Sequence, residues 1–340
     1  MKKALALLLT LSLSLLLFAG CGTATSGAVK TGLAVITSIA KSKDATVDAD
    51  GLAETDSAIV AVTVDNTGKI VKCVIDAAQT KINFTAVGAL TTDVNTIFKT
   101  KDELGDEYGM KKASSIGKEW YEEAAALAIY VVGKTIEEVK GIAVNEEGAP
   151  ADAELAASVT ISIGDYVNAI EKAVNNVKDL GAKAGDKLGL GVITTIAKSL
   201  PATIDTAGVE QAGIAQAYSS YTATTFDVNG KITSCIIDAS QSNVNFSAVG
   251  IITSDLASAP KTKLELGDEY GMKKASAIGK EWNEQANALA NYVVGKAVTE
   301  VKGIAVTDAG VPADAELAAS VTIHIGDYIA IIEKANVNAK

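Results

Sequence analysis

The densest cluster of chemically useful side chains is the segment at residues 105–112, which reads GDEYGMKK and recurs at residues 267–274. A loop of this kind could line a ligand site, with a tyrosine stacking on a planar ring and a lysine facing an anion. The alternative is a helix start, since acidic residues favour the positive end of a helix and glycine allows the turn before it. The candidate cofactor-binding residues of this segment are Tyr108, Lys111, Tyr270 and Lys273.

The two segments belong to a long internal repeat. Residues 105–120 and 267–282 differ at a single position, and their shift of 162 holds through most of the repeat. Upstream the shift is 157, because Ile39 matches Ile196, so five residues were gained or lost in between. Solenoid repeats are only roughly 20–50 residues long, so each copy is expected to be a domain with its own core.

The repeat and the N-terminal composition divide the chain into segments. A flexible linker is expected between the copies because that stretch has three glycines and no apolar stripe. The copies could then move relative to one another unless their surfaces pack. The predicted segments are a signal peptide (1–21), a tether (22–32), copy one (33–178), the linker (179–189) and copy two (190–338).

The N-terminal residues are typical of a bacterial lipoprotein signal. Two lysines precede an apolar run at residues 4–18, and the sequence Ala-Gly before Cys21 resembles a lipobox. The run of about 15 residues is short for a bilayer span, which needs roughly 20. An ordinary signal peptide and a short membrane anchor are the alternatives. We expect export, with lipidated Cys21 holding the chain on the outer face of the cell membrane.

Charge and composition exclude several function classes. The chain has 41 acidic and 30 basic residues, a net charge of −11, and its basic residues are all lysine. This balance opposes binding to nucleic acid, which needs a positive surface. Without arginine there is no guanidinium fork for bidentate capture of phosphate or carboxylate.

The residues of common catalytic sites are scarce. His324 is the sole histidine and Ser162 stands at its place in copy one, which excludes a Ser–His–Asp triad or a histidine metal site shared by both copies. Cys73 and Cys235 lie at matching places in strand-like runs and are expected to be buried thiols, with a redox thiol or an interdomain bridge as alternatives. The chain is therefore more typical of a binding or electron-transfer module than of an enzyme.

The apolar patterns of each copy predict strands followed by helices. In copy one, β-branched runs predict strands at residues 33–42, 57–64 and 69–77 and a short fourth strand at 82–84. Apolar residues at helical spacing predict a helix over residues 113–131, with Trp120 and its counterpart Trp282 as core positions. The fold class is α+β, an antiparallel sheet meander packed by helices in each of two homologous domains.

Smaller signals place the ends of the later helices. Thr135 and Glu138 form a capping box for a short helix ending at Gly141, and Ala297 removes that cap in copy two. Asp152 is expected to cap another turn, and residues 166–177 carry the last helical stripe. Between them, the β-branched residues of 158–163 argue against a helix.

The order of elements resembles a known family. A lipoprotein signal, a strand–turn–strand with the turn DxxGKI, a helical region and a Ser/Thr-rich segment before a terminal helix occur in that order. This resembles the bacterial FMN-binding domain of sodium-pumping quinone reductases, Rnf complexes and exported flavoproteins. In that family an SGAT motif carries a threonine esterified to FMN phosphate; here the stretch reads ASVT, ending at Thr160 and Thr322. The resemblance implies FMN as cofactor and these threonines as its carriers, the alternative being ordinary packing residues.

Two function classes follow from these observations. The first is a membrane-anchored extracytoplasmic lipoprotein with two tandem ligand-binding domains that hold a planar cofactor such as FMN for electron transfer. The second is a structural or interaction lipoprotein without a cofactor. A hydrolase is disfavoured because no nucleophile and base occur at a suitable spacing.

Overall fold

The computed structural model describes residues 27–340. The predicted signal peptide, Cys21 and the first part of the tether lie outside the described residues. Two short 3-10 turns, Gly105–Tyr108 and Met110–Lys112, occupy the GDEYGMKK segment. The other elements of copy one are β1 (Lys30–Ser38), β2 (Gly51–Val64), β3 (Ile70–Phe84), α1 (Lys101–Leu104), α2 (Trp120–Tyr130), α3 (Ile136–Lys140), α4 (Ala153–Ala156) and α5 (Gly164–Asn175).

Copy two repeats this order of elements with one addition. The five extra residues inferred from the change of shift belong to a small hairpin, β5 and β6, which copy one lacks. The first strand, β4, begins inside the segment predicted as a linker. The elements of copy two are β4 (Lys187–Thr195), β5 (Thr203–Ile204), β6 (Glu210–Gln211), β7 (Gly213–Phe226), β8 (Ile232–Phe246), α6 (Lys263–Leu266), α7 (Trp282–Val293), α8 (Val298–Lys302), α9 (Ala315–Ala318) and α10 (Gly326–Asn338).

Each copy contains a three-stranded antiparallel meander, in the order β1-β2-β3 and β4-β7-β8. The predicted hairpin turn is present, since the Asp65 carboxylate accepts from the backbone N–H groups of Thr67 and Lys69. The predicted fourth strand is wrong as a separate element. β3 runs without a break to Phe84 because β2 extends back to Gly51 and pairs with it along this whole length.

The helices differ from the predictions mainly at their starts. α2 begins at Trp120, seven residues later than predicted, because Gly117 takes a left-handed conformation with φ 63° in the turn before it. The capping box of α3 is confirmed at Thr135. Half of it survives in copy two, where the backbone N–H of Ala297 still donates to the Glu300 carboxylate.

Each copy buries its own core between one sheet face and its helices. In copy one, Val60 and Val62 of β2 pack on Trp120 and Leu127 of α2 and on Ile170 of α5. An equivalent cluster in copy two contains α7 and α10. Both copies are thus α+β units with a separate helix-facing core, as the repeat length predicts.

The opposite sheet faces pack against each other. Leu33, Ile59 and Ala61 of copy one share a buried cluster with Leu190 and Tyr221 of copy two. The layers therefore run helices, sheet, sheet, helices. Since this shared face excludes water from both sheets, it contributes to the stability of each copy, at roughly 25 cal/mol for each Å² of apolar surface buried.

Symmetric polar contacts join the copies at the edges of this shared core. The Lys172 ammonium contacts the Glu265 carboxylate at 2.5 Å, and Lys334 makes the matching contact with Glu103. At one end the rings of Phe84 and Phe246 stack with centroids 4.1 Å apart. The surfaces of the two copies therefore pack.

Among residues 27–340, no helix combines the length and the apolar character needed to cross a bilayer.

Candidate functional site

A cluster of aromatic rings surrounds a lysine in copy one. The Lys101 ammonium lies 4.7 Å from the ring centroid of Tyr108 and 5.5 Å from that of Trp120. The Trp120 indole N–H donates to the Tyr166 hydroxyl at 3.1 Å. We call Lys101, Tyr108, Trp120 and Tyr166 the copy-one cage.

Short local interactions position the cage lysine. Lys101 is the first residue of α1, whose N-terminus is capped by Thr100 and Glu103. The buried Asp76 carboxylate of β3 accepts from the backbone N–H of Asp102 at 3.1 Å and so fixes this helix to the sheet. Burial raises the pKa of Asp76 to about 7. The sheet therefore determines where the ammonium points.

The cage opens into a cavity of about 360 Å³. This volume is within the range of roughly 300–1,000 Å³ that is usual for small-molecule sites. At its lining, Asp56 of β2 pairs with Lys41 at 2.7 Å, and Asp165 adds a second carboxylate. The Lys101 ammonium has no hydrogen-bond or ion-pair partner among residues 27–340. The cavity thus combines aromatic walls with an unpaired cation.

Copy two has the same cage, formed by Lys263, Tyr270, Trp282 and Tyr328. The Lys263 ammonium lies 4.5 Å from the centroid of Tyr270 and 5.2 Å from that of Trp282, and the indole donates to Tyr328 at 3.2 Å. These distances match those of copy one to within a few tenths of an ångström. We call this group the copy-two cage.

The copy-two cage is closed by a side chain from its own sheet. Tyr218 stands where copy one has Asp56, and its ring lies 4.6 Å from the Lys263 ammonium. Its hydroxyl accepts from that ammonium at 2.9 Å and lies 3.3 Å from the Tyr328 hydroxyl. Lys263 is consequently only 4% exposed, and burial lowers its pKa to about 8.

A buried glutamate holds the GDEYGMKK segment in each copy. The Glu119 carboxylate accepts from the backbone N–H groups of Met110 and Lys111 at 2.8 and 3.0 Å, and Glu281 does the same in copy two. α2 begins directly after Glu119, not at the acidic pair of the segment. The segment is therefore a fixed wall of the cage.

The candidate threonines lie beside a second buried carboxylate. Thr160 donates its hydroxyl to Glu123, with 3.1 Å to each carboxylate oxygen, and its backbone N–H donates there at 2.6 Å. In copy two Thr322 donates to the neutral amide oxygen of Gln285. A phosphate on Thr160 would lie against the oxygens of the buried Glu123 side chain, which already accept the Thr160 hydroxyl. The residues of copy one therefore do not fit an ester-linked FMN at this position.

The structure separates the six candidate binding residues into three pairs. Tyr108 and Tyr270 belong to the cages. The side chains of Lys111 and Lys273 are exposed and do not line the copy-one cavity. Thr160 and Thr322 are half-buried, and Thr160 directly precedes Ile161, which lines the copy-one cavity.

Sequence reasoning missed the cage lysines and the residue that closes copy two. The available signal was the aligned repeat, in which Asp56 aligns with Tyr218, but β2 and β7 differ at 9 of their 14 positions and nothing local marks this one. The cage lysines lie just before the GDEYGMKK segment and carry no motif of their own. Their role follows only from the sheet that places them against the aromatic rings.

Two further cavities lie at the junction of the copies. One of about 300 Å³ is lined by β3, α2 and β4, and the other, of about 410 Å³, by β1, α5 and β8. The repeat relates the strands of one to those of the other. Their helices are not related in the same way, because α2 lines the first cavity whereas its counterpart α7 does not line the second.

The remaining reactive residues form no second centre within the described part of the chain. Cys235 is buried, Cys73 is half-buried, and both are free thiols. His324 is exposed. No group of three or more His, Cys, Asp or Glu side chains in residues 27–340 is arranged to hold a metal ion.

Comparisons with known proteins give a match to a short part of the chain. No protein-family model matches the chain, and no solved structure matches it. A stretch of 42 residues, 12% of this chain, is 52% identical to part of a chlorophenol reductase from Desulfitobacterium hafniense. The match spans 13% of that protein's length.

Proposed function

We propose that this protein is an extracytoplasmic lipoprotein, anchored to the outer face of the bacterial cell membrane through Cys21, in which copy one binds a small planar aromatic ligand. The observation that carries the proposal is the contrast between the open copy-one cage and the closed copy-two cage. Aromatic walls supply stacking surfaces, and the unpaired Lys101 ammonium supplies one strong donor. The partial relative is named for a chlorophenol, which is also a planar aromatic compound.

FMN is a narrower proposal that comes from the family resemblance. The contact of Thr160 with Glu123 opposes a phosphate ester in copy one, and Tyr218 fills the cage in copy two. An absorption spectrum of the purified protein tests this directly. A flavin band that follows the chain on denaturation would support covalent FMN. A colourless protein that does not bind added FMN would reject the cofactor.

Ligand binding is tested by thermal melting with benzoate, p-cresol and FMN. A ligand that binds only the folded protein raises the melting temperature by mass action. We expect a rise with at least one compound, and none in the variant Asp56→Tyr, which copies the closed arrangement of copy two. Absence of any rise in the wild type, or an equal rise in the variant, would contradict the proposal.

An interaction lipoprotein without a ligand is the second candidate. The observation that favours it is the shared core, which joins two acidic copies into one body with paired salt bridges. It predicts that the wild type and the Asp56→Tyr variant respond identically to every compound. The same melting series therefore discriminates the two functions.

A further inference from the structure

Copy two contains a chemical fragment that copy one lacks. The side chain of Tyr218 is a para-alkyl phenol, and it occupies the cage of copy two with its ring near the lysine and its oxygen between the Lys263 ammonium and the Tyr328 hydroxyl. In copy one the equivalent position is Asp56, which turns to Lys41 and leaves the space empty of side chains. In copy two, the Tyr218 side chain therefore occupies the position that a free ligand would take in copy one.

The match between the cages extends to the groups that hold the phenol. Lys263 and Tyr328 contact the Tyr218 oxygen, and their counterparts Lys101 and Tyr166 line the copy-one cavity. The tryptophan that fixes the tyrosine hydroxyl makes the same hydrogen bond in both copies. The copy-one cage therefore offers the same two groups to a free ligand.

We propose that copy one binds a free phenol, with its ring in the place that Tyr218 takes in copy two and its oxygen held by Lys101 and Tyr166. This inference rests on the binding function proposed above and names its ligand class. A single oxygen acceptor suits the site because the lining already holds two carboxylates, Asp56 and Asp165, beside its two lysines. A ligand with two negative charges would find no second unpaired cation in this lining, because Lys41 is already paired with Asp56.

The probe for this inference is p-cresol, which is the tyrosine side chain without its backbone. Its matched control is toluene, which keeps the ring and lacks the hydroxyl. Calorimetric titration of the wild type should show one p-cresol site per chain. Toluene should bind about 10-fold to 100-fold more weakly, because a hydrogen bond to a charged donor contributes about 1.5–3 kcal/mol.

Two variants exchange the properties of the copies. Asp56→Tyr should abolish p-cresol binding, since the new side chain fills the cage. Tyr218→Asp should raise the stoichiometry from one site to two, because it recreates the open arrangement with Lys198 in the place of Lys41. Tyr218→Phe is the control that keeps the cage filled, and it should leave one site.

A third variant tests the lysine itself. Lys101→Met should weaken p-cresol by at least about 10-fold while changing toluene binding little, because only the hydroxyl contact is lost. Each variant is checked for a cooperative melting transition before titration. If Lys101→Met fails this check, Lys101→Gln takes its place, because it keeps a polar end group without the charge.

The outcomes separate this inference from the function on which it rests. Equal affinity for p-cresol and toluene would overturn the phenol assignment. Binding of benzoate or FMN that Asp56→Tyr abolishes, with no binding of p-cresol, would also overturn it and leave the binding function intact. If none of these compounds binds to the wild type, both proposals are wrong.

Discussion

In copy one the aromatic cage around Lys101 faces an open cavity, whereas in copy two Tyr218 fills the same cage around Lys263. The sixteen-residue segment that forms one wall is almost identical in the two copies. The cage of copy two is filled by Tyr218 of β7, where β2 of copy one has Asp56, although the two strands also differ at other positions. Conserving a loop between two copies therefore does not conserve a site, because the opposite wall decides whether the site is open.

The strongest test of the comparison removes the contact that both copies share. Phe84→Ala and Phe246→Ala should each lower the free energy of unfolding by about 3–5 kcal/mol, the usual cost of deleting a buried phenylalanine. Because the two rings stack on one another, the double variant should cost less than the sum of the single ones. Urea unfolding measures both effects. Fully additive costs would contradict a shared core.

A second test uses the buried aspartates that anchor α1 and α6. Burial raises the pKa values of Asp76 and Asp238 to about 7, so the folded state keeps protons that the unfolded state releases near pH 4. This contribution to stability is complete below pH 4 and is lost as the pH rises through 7. The free energy of unfolding should thus fall over this window, by at most about 1.4 kcal/mol per pH unit for each group.

Asparagine at these positions removes the titration and keeps an acceptor oxygen. Asp76→Asn should remove about half of the pH dependence, Asp238→Asn a similar share, and the double variant most of it. Chemical unfolding at pH 5 and pH 8 measures the change. A double variant with the wild-type slope would show that other groups are responsible.

A third test concerns the residue that holds the threonine segment. Glu123→Ala should cost about 1–3 kcal/mol, because the donors of Thr160 and Ile161 would lose their acceptor inside the protein. Glu123→Gln copies Gln285 of copy two and should cost less than the alanine variant. Thermal unfolding compares them. An equal loss in both would indicate that the charge itself is required.

The smallest expected effect is at the helix cap that differs between the copies. Thr135→Ala should cost about 0.5–2 kcal/mol, since it removes the side-chain acceptor for the Glu138 backbone N–H. Ala297→Thr should stabilise copy two by a similar or smaller amount. Urea unfolding checks both variants. A destabilising effect of Ala297→Thr would show that the backbone of copy two no longer presents a cap position.

Much of each copy was predictable because it depends on local patterns. The strands around the Asp65 turn, the α3 capping box and the Asp152 cap follow from residues a few positions apart. The predicted start of α2 was wrong. Ile116 fits the apolar stripe of the helix, but it lies in the turn that precedes α2, where Gly117 adopts a left-handed conformation. The separate fourth strand was wrong because pairing with β2 overrides the polar residues within β3.

By itself, the sequence determined the duplication, the α+β class and the two helix-facing cores. The tertiary structure decided that the two sheets share a core, that a lysine lies inside each aromatic cage and that only one cage is open. The physical reason is range. Strand patterns and helix caps depend on residues a few positions apart in the sequence. The cavity depends on Asp56, Lys101 and Tyr166, which are far apart in the sequence and come together only when β2, α1 and α5 pack.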